Sequence, residues 1–328
     1  MFWQMISTLA VAVAARIARV WYLYALMVLS TGIGAFLCYL QQRPSRQRSL
    51  RDFLAFVFPR PVMTHPSVRL DLWFVVIRWL TRPILIAPFL FSSALLAHWC
   101  AAEATRFFGH VGAAAEPRFA ARVLMTIAVL VSSDLGIFCA HYLQHRVPVL
   151  WEFHKVHHAA EVLIPPTVLR NHPVDEIARF LWIGLCNALV GSVFLYLYPA
   201  GIAEVTIAGI EAYLVLDLLI FNQLRHSHLP LRFGAVLEGV LISPAMHQLH
   251  HSVDPRHYDK NFGFTFAIWD RLLGTLMLPG QEPLGALGLG NGESQAYDSV
   301  WALYTLPFVK LARRRRSMAG PAGPVAST

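Results

Sequence analysis

The sequence predicts an all-α protein that crosses a membrane several times and carries a histidine-lined cap on its cytoplasmic face. Of its 328 residues, 56% are hydrophobic and only 14% are charged, a balance that excludes an ordinary soluble domain. The net charge is +8, but the basic residues lie between long apolar runs and form no basic face, so nucleic acid is not expected as a partner. Most of the 15 histidines crowd into short strings in the second half of the chain.

Five apolar segments are long enough to cross a bilayer as helices, since a spanning helix needs roughly 20 apolar residues. These segments are 20–40, 84–101, 123–139, 180–198 and 202–221. A short turn signal between Tyr198 and Gly201 separates the last two, which predicts a helical hairpin. Residues 1–15 are expected to form an uncleaved interfacial or spanning helix, and residues 70–80 an interfacial helix.

The lysines and arginines predict how the spans are oriented. Of 27 such residues, 22 lie in the segments 41–83, 141–179 and 222–328, which all fall on one side of the membrane if five spans form. Because loops rich in lysine and arginine face the cytoplasm, we expect that side to be cytoplasmic. The protein would then be an integral, multi-pass membrane protein with its histidine strings on the cytoplasmic face.

Three histidine strings and one further pair follow the spans on this side. The strings are His141 and His145; His154, His157 and His158; and His247, His250 and His251, and the pair is His226 and His228. In the first string the spacing i, i+4 places both imidazoles on one helix face, about 6 Å apart along the axis. In the other two strings the adjacent histidines can diverge toward two metal ions.

Histidines in this arrangement indicate a metal centre. Clustered imidazolium ions would repel one another, whereas neutral imidazoles that bind a cation need not. Imidazole suits zinc, copper, iron and nickel, and nine or more histidines are too many for one tetrahedral ion. We therefore expect two ions. A pair of oxygen-activating irons would explain a nitrogen-rich site beside a lipid phase.

The motifs resemble those of the membrane fatty acid hydroxylase and sterol desaturase superfamily, the histidine-box di-iron oxygenases. The resemblance covers 134–276, under half of the chain. Its motifs follow one another as Asp134-x3-Phe138-x2-His141-x3-His145, His154-x2-His157-His158, Arg170-x-His172-Pro173, His226-Ser-His228, His247-x2-His250-His251, Asp259-Lys-Asn-Phe-Gly263 and Trp269-Asp270-x3-Gly274-Thr275.

The resemblance implies an oxidoreductase that hydroxylates a C–H bond of a membrane lipid, whether fatty acyl, sterol-like or in a headgroup. It implies two iron ions, O2 as co-substrate, and an electron donor such as ferredoxin or cytochrome b5 with its NAD(P)H reductase. A desaturase with the same site is the alternative, and a non-catalytic membrane protein for metal binding or transport is a third. The corresponding domains are N-terminal membrane and interfacial helices (1–120), a hydroxylase-like catalytic domain (121–278), and a C-terminal loop, interfacial helix and basic, disordered tail (279–328).

The expected metal ligands are His141, His145, His154, His157, His158, His226, His247, His250 and His251. His172, His228 and Asp259 are expected either to bind metal or to support residues that do. Asp134 is the candidate catalytic residue, because it shares a helix face with His141 and lies roughly 10 Å deeper. It could orient a ligand or bind substrate, and a hydrogen bond to a neighbouring span is the alternative. Asp254 and Asp270, like Asp259, are expected to orient imidazole N–H groups.

Overall fold

The protein is helical over most of the residues that the structure describes. The structure is a computed structural model, and it describes residues 2–110, 116–207, 210–280 and 284–318. Its α-helices are α1 (Phe2–Gln42), α2 (Leu50–Val57), α3 (Arg60–Met63), α4 (Pro66–Phe108), α5 (Phe119–Arg146), α6 (Pro148–His158), α7 (Pro173–Leu197), α8 (Ala212–Leu219), α9 (Ala235–Glu238), α10 (Pro244–His250), α11 (Ile268–Leu273) and α12 (Val300–Met318). Strands β1 (Thr206–Ile207) and β2 (Ile210–Glu211) pair as a short antiparallel ribbon. The predicted all-α fold class is confirmed.

Four of the described helices are long and apolar enough to cross a membrane. They are the part of α1 from Trp21 to Gln42 and the whole of α4, α5 and α7. Large apolar side chains on these helices are exposed, among them Leu90, Phe91 and Leu189. In water such a surface would cause aggregation, whereas in a bilayer lipid covers it. The chain is therefore a multi-pass membrane protein.

Helix α4 is longer than a bilayer is thick. Its 43 residues extend about 64 Å, roughly twice the thickness of the hydrocarbon core. The predicted interfacial segment 70–80 and the predicted span 84–101 therefore form one helix, which continues through Pro83 and Pro88. In the same way, α1 joins the predicted N-terminal helix to the first span. The first part of α4 leaves the membrane and packs in the cap.

The fifth predicted span, 202–221, is wrong. This segment forms β1, β2 and α8, and the eight residues of α8 extend only about 12 Å. Its apolar composition resembled a span, but contacts with other helices direct its path. The Arg122 guanidinium of α5 donates to the Ala203 and Glu204 carbonyl oxygens at 3.0 and 3.1 Å. Ser30 of α1 donates its hydroxyl to the Leu218 carbonyl oxygen. The chain still returns to the side on which α5 ends. Irregular backbone is tolerated along this path because it packs against α1 and α5 and not against lipid.

Helices α5 and α7 pack closely, and this packing positions the end of α5 that carries His141. A Cβ atom added to Gly136 would lie 2.7 Å from the Ile183 Cα atom, so only glycine permits this approach. One turn deeper, Ser132 and Ser133 donate hydroxyl hydrogen bonds to the Asn187 side-chain oxygen at 2.6 and 3.0 Å. Small and polar residues thus hold the two spans together.

An apolar core in the cap connects α4, α6 and α12. Phe74 of α4, Val156 of α6 and Leu303 of α12 are all fully buried in this core. The interfacial helix predicted within 279–328 corresponds to α12, which runs from Val300 to Met318. The predicted disordered tail lies outside the described residues beyond that point.

Candidate metal centre

The cap brings the histidine strings together from four parts of the chain. The first string lies on the last turns of α5, and the second on α6, which begins at Pro148 directly after α5 ends. His226 follows α8, and the third string lies on α10 and at its C-terminal cap, His251. The pair of helices α5 and α6 therefore faces α10, although about 90 residues separate them in sequence.

The histidines form two groups, each of which could hold a metal ion. The first histidine group consists of His141, His145, His154, His158 and His250, and the second histidine group consists of His157, His226, His247 and His251. Within each group, one ring nitrogen per residue lies within 4.8 Å of all the others. The structure thus brings together all nine histidines that the sequence suggested as ligands.

The two groups share the second and third strings. The adjacent residues His157 and His158 point into different groups, and so do His250 and His251. Adjacent residues on a helix project about 100° apart, so a pair of neighbours can reach two centres. The first string, by contrast, belongs entirely to the first histidine group.

Nitrogen atoms in the second histidine group have the spacing of ligands around one ion. The Nε2 atom of His226 lies 3.0 Å from that of His157 and 2.9 Å from that of His247. The Nε2 atom of His251 is 3.2 Å from that of His247. Two ligands that lie at right angles about 2.1 Å from an ion are about 3.0 Å apart. The four rings could therefore coordinate a single metal.

Backbone carbonyls of one loop orient two rings of the first histidine group. This supporting loop, residues 259–266, follows the third string. The Nδ1 atom of His141 lies 2.8 Å from the Phe262 carbonyl oxygen, and that of His250 lies 2.7 Å from the Lys260 carbonyl oxygen. Because a carbonyl oxygen only accepts, Nδ1 carries the hydrogen in both rings and Nε2 offers its lone pair.

Residues 170–175, which lead into the first turn of α7, orient one ring in each group. The Nδ1 atom of His157 lies 3.3 Å from the Arg170 carbonyl oxygen. The Nδ1 atom of His154 lies 2.9 Å from the Asp175 carboxylate. Both acceptors again leave Nε2 as the atom that can bind a metal.

Several ring nitrogens that carry a lone pair are buried and have no hydrogen-bond partner among the described residues. A bound metal would account for them. The Nε2 atoms of His145, His154, His158 and His250 have no hydrogen-bond partner among the residues that the structure describes. Buried polar atoms are rarely left unpaired, because losing the hydrogen bond to water is costly. Four such nitrogens that converge on one point fit a cation that accepts their lone pairs.

Burial keeps these imidazoles in the form that binds metals. It lowers the pKa of His157, His226 and His251 well below the ordinary value, and the neighbouring histidines lower it further. For His250, burial lowers the pKa to about 3. The rings are thus neutral at physiological pH, as metal coordination requires.

Asp270 holds the supporting loop in place. Its carboxylate accepts hydrogen bonds from the Phe262 and Gly263 backbone N–H groups at 2.8 and 2.7 Å, and one from the Thr275 hydroxyl at 2.6 Å. Asp270 therefore acts on His141 through one peptide group, since the Phe262 carbonyl accepts from that ring. By comparison, Asp254 lies at the surface, where it pairs with Arg256.

Asp134 also binds the supporting loop rather than a histidine. One carboxylate oxygen accepts from the Thr265 N–H at 2.6 Å, and the other accepts from the Phe266 N–H at 3.2 Å and from the Trp269 indole at 2.7 Å. These three donors use both oxygens. The geometry supports a positioning role for Asp134 over direct contact with substrate.

His172, His228 and Asp259 lie outside both histidine groups. His172 caps α7, because its Nδ1 atom accepts from the Val174 N–H, and its Nε2 atom lies 3.2 Å from the Tyr304 carbonyl oxygen. The Nε2 atom of His228 lies 3.0 Å from the Phe56 carbonyl oxygen. Asp259 forms an ion pair with Arg146 at 3.1 Å and lies 3.9 Å from the His145 ring.

Asp175 is the site residue that sequence reasoning missed. It lies in the first turn of α7, two residues after Pro173. Proline at the first position of a helix and an acid in the first turn are typical of a helix start, and this signal would have placed Asp175 beside the histidine-proline motif. That its carboxylate reaches His154 could be seen only in the folded chain.

The chain has helices that are long enough to span a membrane, and two groups of imidazoles converge at one end of them. These features define a multi-pass membrane protein with a candidate metal centre made of histidines. Residues 125–275 match the family described as fatty acid hydroxylase. No solved structure matches the chain.

Curated relatives of the chain are oxidoreductases with lipid names. It is 29% identical to an ornithine lipid hydroxylase from Rhizobium tropici, over 56% of this chain and 50% of the relative. It is 26% identical to an alkylglycerol monooxygenase from Danio rerio, over 51% and 35%. It is 30% identical to a Delta(7)-sterol 5(6)-desaturase from Gibberella zeae, over 44% and 41%. The chain thus aligns with half or less of the length of each.

Proposed function

We propose that this protein is a membrane non-haem di-iron oxygenase that hydroxylates a C–H bond of a lipid. The observation that carries the proposal is the convergence of nine imidazoles, seven of them in buried residues, into two adjacent groups, each suited to one ion. The match of residues 125–275 to the fatty acid hydroxylase family supports iron as the metal. When bound, a pair of irons would supply the activation of O2 that attack on an unactivated C–H bond requires.

The residues of the chain contribute orientation and the exclusion of water. Hydrogen bonds from Nδ1 to the supporting loop and to residues 170–175 aim the Nε2 lone pairs of four rings. Burial of the whole cluster removes bulk water from the reacting atoms. We propose that the nine histidines are the ligands, and that Asp134, Asp270 and Asp175 keep their geometry.

Aromatic side chains on the membrane side of His141 support entry of a lipid from the bilayer. Phe138 lies one turn deeper on α5, and its ring centroid is 6.4 Å from that of Trp269. The Phe262 ring centroid lies 5.6 Å from that of His141. Phe138 and Phe262 are buried, so we propose that these rings move aside when an acyl chain or sterol approaches the first histidine group.

The names of the relatives support lipid as the substrate class, and the reaction also needs two electrons. We propose a membrane lipid as substrate and a ferredoxin or cytochrome b5 with its NAD(P)H reductase as electron donor. The second candidate function is desaturation by the same site, which similarity to a sterol desaturase favours.

Oxygen labelling tests the reaction. With labelled O2, reductant and an electron donor, hydroxylation joins one labelled atom to a lipid carbon, while the other leaves as water with two electrons and two protons. We expect a lipid from the host membrane to gain one labelled oxygen, as measured by mass spectrometry. A product with a new double bond and no label would replace the hydroxylase with the desaturase. Iron-loaded, reduced protein that consumes no O2 across a broad lipid panel would contradict both.

We propose that the cap faces the cytoplasm, because most lysines and arginines of the chain lie on the side of the cap. Cysteines introduced at the exposed positions Ser45, Glu161 and Gly292 should react only with reagents that enter the cytoplasm, whereas one at Glu116 should react from outside. The measurement is labelling of intact cells with a membrane-impermeant maleimide, in a background without the native cysteines. Labelling of Glu161 and Gly292 from opposite sides would contradict the topology.

A further inference from the structure

A stripe of buried residues on α4 packs against the segment that lies beside the metal centre. Ser67, Asp71, Phe74 and Arg78 are spaced i, i+4, i+7 and i+11, so they lie on one face of the helix, and each is at most 5% exposed. The neighbouring Trp73, by contrast, is 56% exposed. This stripe lies before the segment that matches the family, and the sequence motifs do not include it.

The first contact of the stripe is with the segment that precedes α7. The Asp71 carboxylate accepts from the Thr167 hydroxyl at 2.6 Å and pairs with the Arg170 guanidinium at 3.3 Å. The same guanidinium nitrogen donates to the Ser67 hydroxyl at 2.7 Å. The Asp71 and Arg170 side chains are almost completely buried.

The second contact is an ion pair between α4 and the first turn of α7. The Arg78 guanidinium lies 2.7 Å from the Glu176 carboxylate, and both side chains are at most 4% exposed. Between the two pairs, Phe74 packs in the apolar core with Val156 of α6 and with Ala159, which caps the C-terminus of that helix. The stripe therefore holds residues 170 to 176 at both ends and contacts the helix that carries the second histidine string.

The segment held in this way contains the acceptors that orient one ring in each histidine group. They are the Arg170 carbonyl oxygen for His157 and the Asp175 carboxylate for His154. Because a buried charge keeps its partner close, two ion pairs define the position of this segment more narrowly than apolar contacts do. We propose that Asp71 and Arg78 of α4 are positioning residues for the metal centre, acting through this segment. The inference rests on the proposed function only in that the two groups bind metal.

The test measures the affinity of the purified full-length protein for Fe²⁺ by competition with a chelator, and therefore needs no lipid substrate. Wild-type protein is expected to bind two ions. Asp71→Asn removes the charge that pairs with Arg170, and it should lower the affinity for one ion about 10–100-fold, as loss of an outer partner does. Trp73→Ala is the matched control on the same stretch of α4, and it should bind both ions as wild type does.

A coupling experiment identifies the group that is affected. Asp71→Asn should add little to the loss of affinity caused by His157→Ala, because Asp71 pairs with Arg170, whose carbonyl orients His157 in the second histidine group. With His145→Ala, which changes the first histidine group, the two losses should be additive. Full additivity with His157→Ala would overturn the proposed connection between Asp71 and that ring.

A double variant separates positioning from folding. Asp71→Leu with Arg170→Met replaces a buried ion pair by apolar side chains, which is often neutral or stabilising. We expect this variant to melt at or above the wild-type temperature and still to bind Fe²⁺ more weakly. Wild-type affinity for both ions in the folded double variant, or in Asp71→Asn, would overturn the inference. Wild-type protein that binds two Fe²⁺ ions but oxidises no lipid would contradict only the proposed function, and failure to bind Fe²⁺ would overturn both.

Discussion

Replacing His250 or His157 by alanine is expected to abolish lipid oxidation while the protein remains inserted in the membrane. His250 belongs to the first histidine group and His157 to the second, so each variant should lose mainly one ion. Loss of an outer partner costs about 10–100-fold in metal affinity or activity, and removal of a direct ligand should exceed about 100-fold. The measurements are iron per chain and the rate of product formation.

His98→Ala is the matched control for these two variants. His98 is an exposed residue of α4 outside both histidine groups, so its replacement should leave iron content and activity unchanged. Full activity in the His157 and His250 variants would show that these residues are not ligands. Loss of membrane insertion would instead assign them a role in folding, because the spans lie elsewhere in the chain.

Asp134→Asn is expected to lower stability, metal content and turnover together. The carboxylate accepts three hydrogen bonds from the supporting loop and Trp269, and an asparagine NH2 group would face one of these donors instead of accepting from it. A buried donor left unsatisfied costs about 1–3 kcal/mol, and more when the lost acceptor was charged. The measurements are the thermal midpoint in detergent, iron per chain and turnover. Turnover that falls while stability and iron content stay at wild-type values would favour direct contact between Asp134 and substrate.

Asp270→Asn should act on the same supporting loop, but at Phe262 and Gly263. Its carboxylate accepts from the Gly263 N–H of the peptide group whose Phe262 carbonyl orients His141, so we expect affinity at the first histidine group to fall about 10–100-fold. Asp254→Asn is the comparison, because Asp254 follows the same histidine string but pairs only with Arg256 at the surface. Equal effects of the two substitutions would contradict the role assigned to the supporting loop.

The local sequence pattern predicted some spans correctly and the segment 202–221 wrongly. The regions around Val123 and Phe180 read correctly as spans because a continuous apolar face is a property of residues a few turns apart. The segment 202–221 has the same apolar composition but no span-length helix, since Arg122, Thr126 and Ser30 bind its backbone. Those contacts join residues 79 to 188 positions apart, which a hydropathy window does not register.

The sequence by itself determined the helical class and the gathering of the histidine strings at one end of the spans. It did so because helix spacing and apolar length are local properties, and because the histidine strings are compact. Only the tertiary structure decided how these strings divide between two groups, and that His172 caps a helix. Only the structure showed that Asp175 reaches His154 and that Asp71 reaches Arg170. These pairings depend on the angle and depth at which distant helices pack, and packing of that kind is a property of the whole fold.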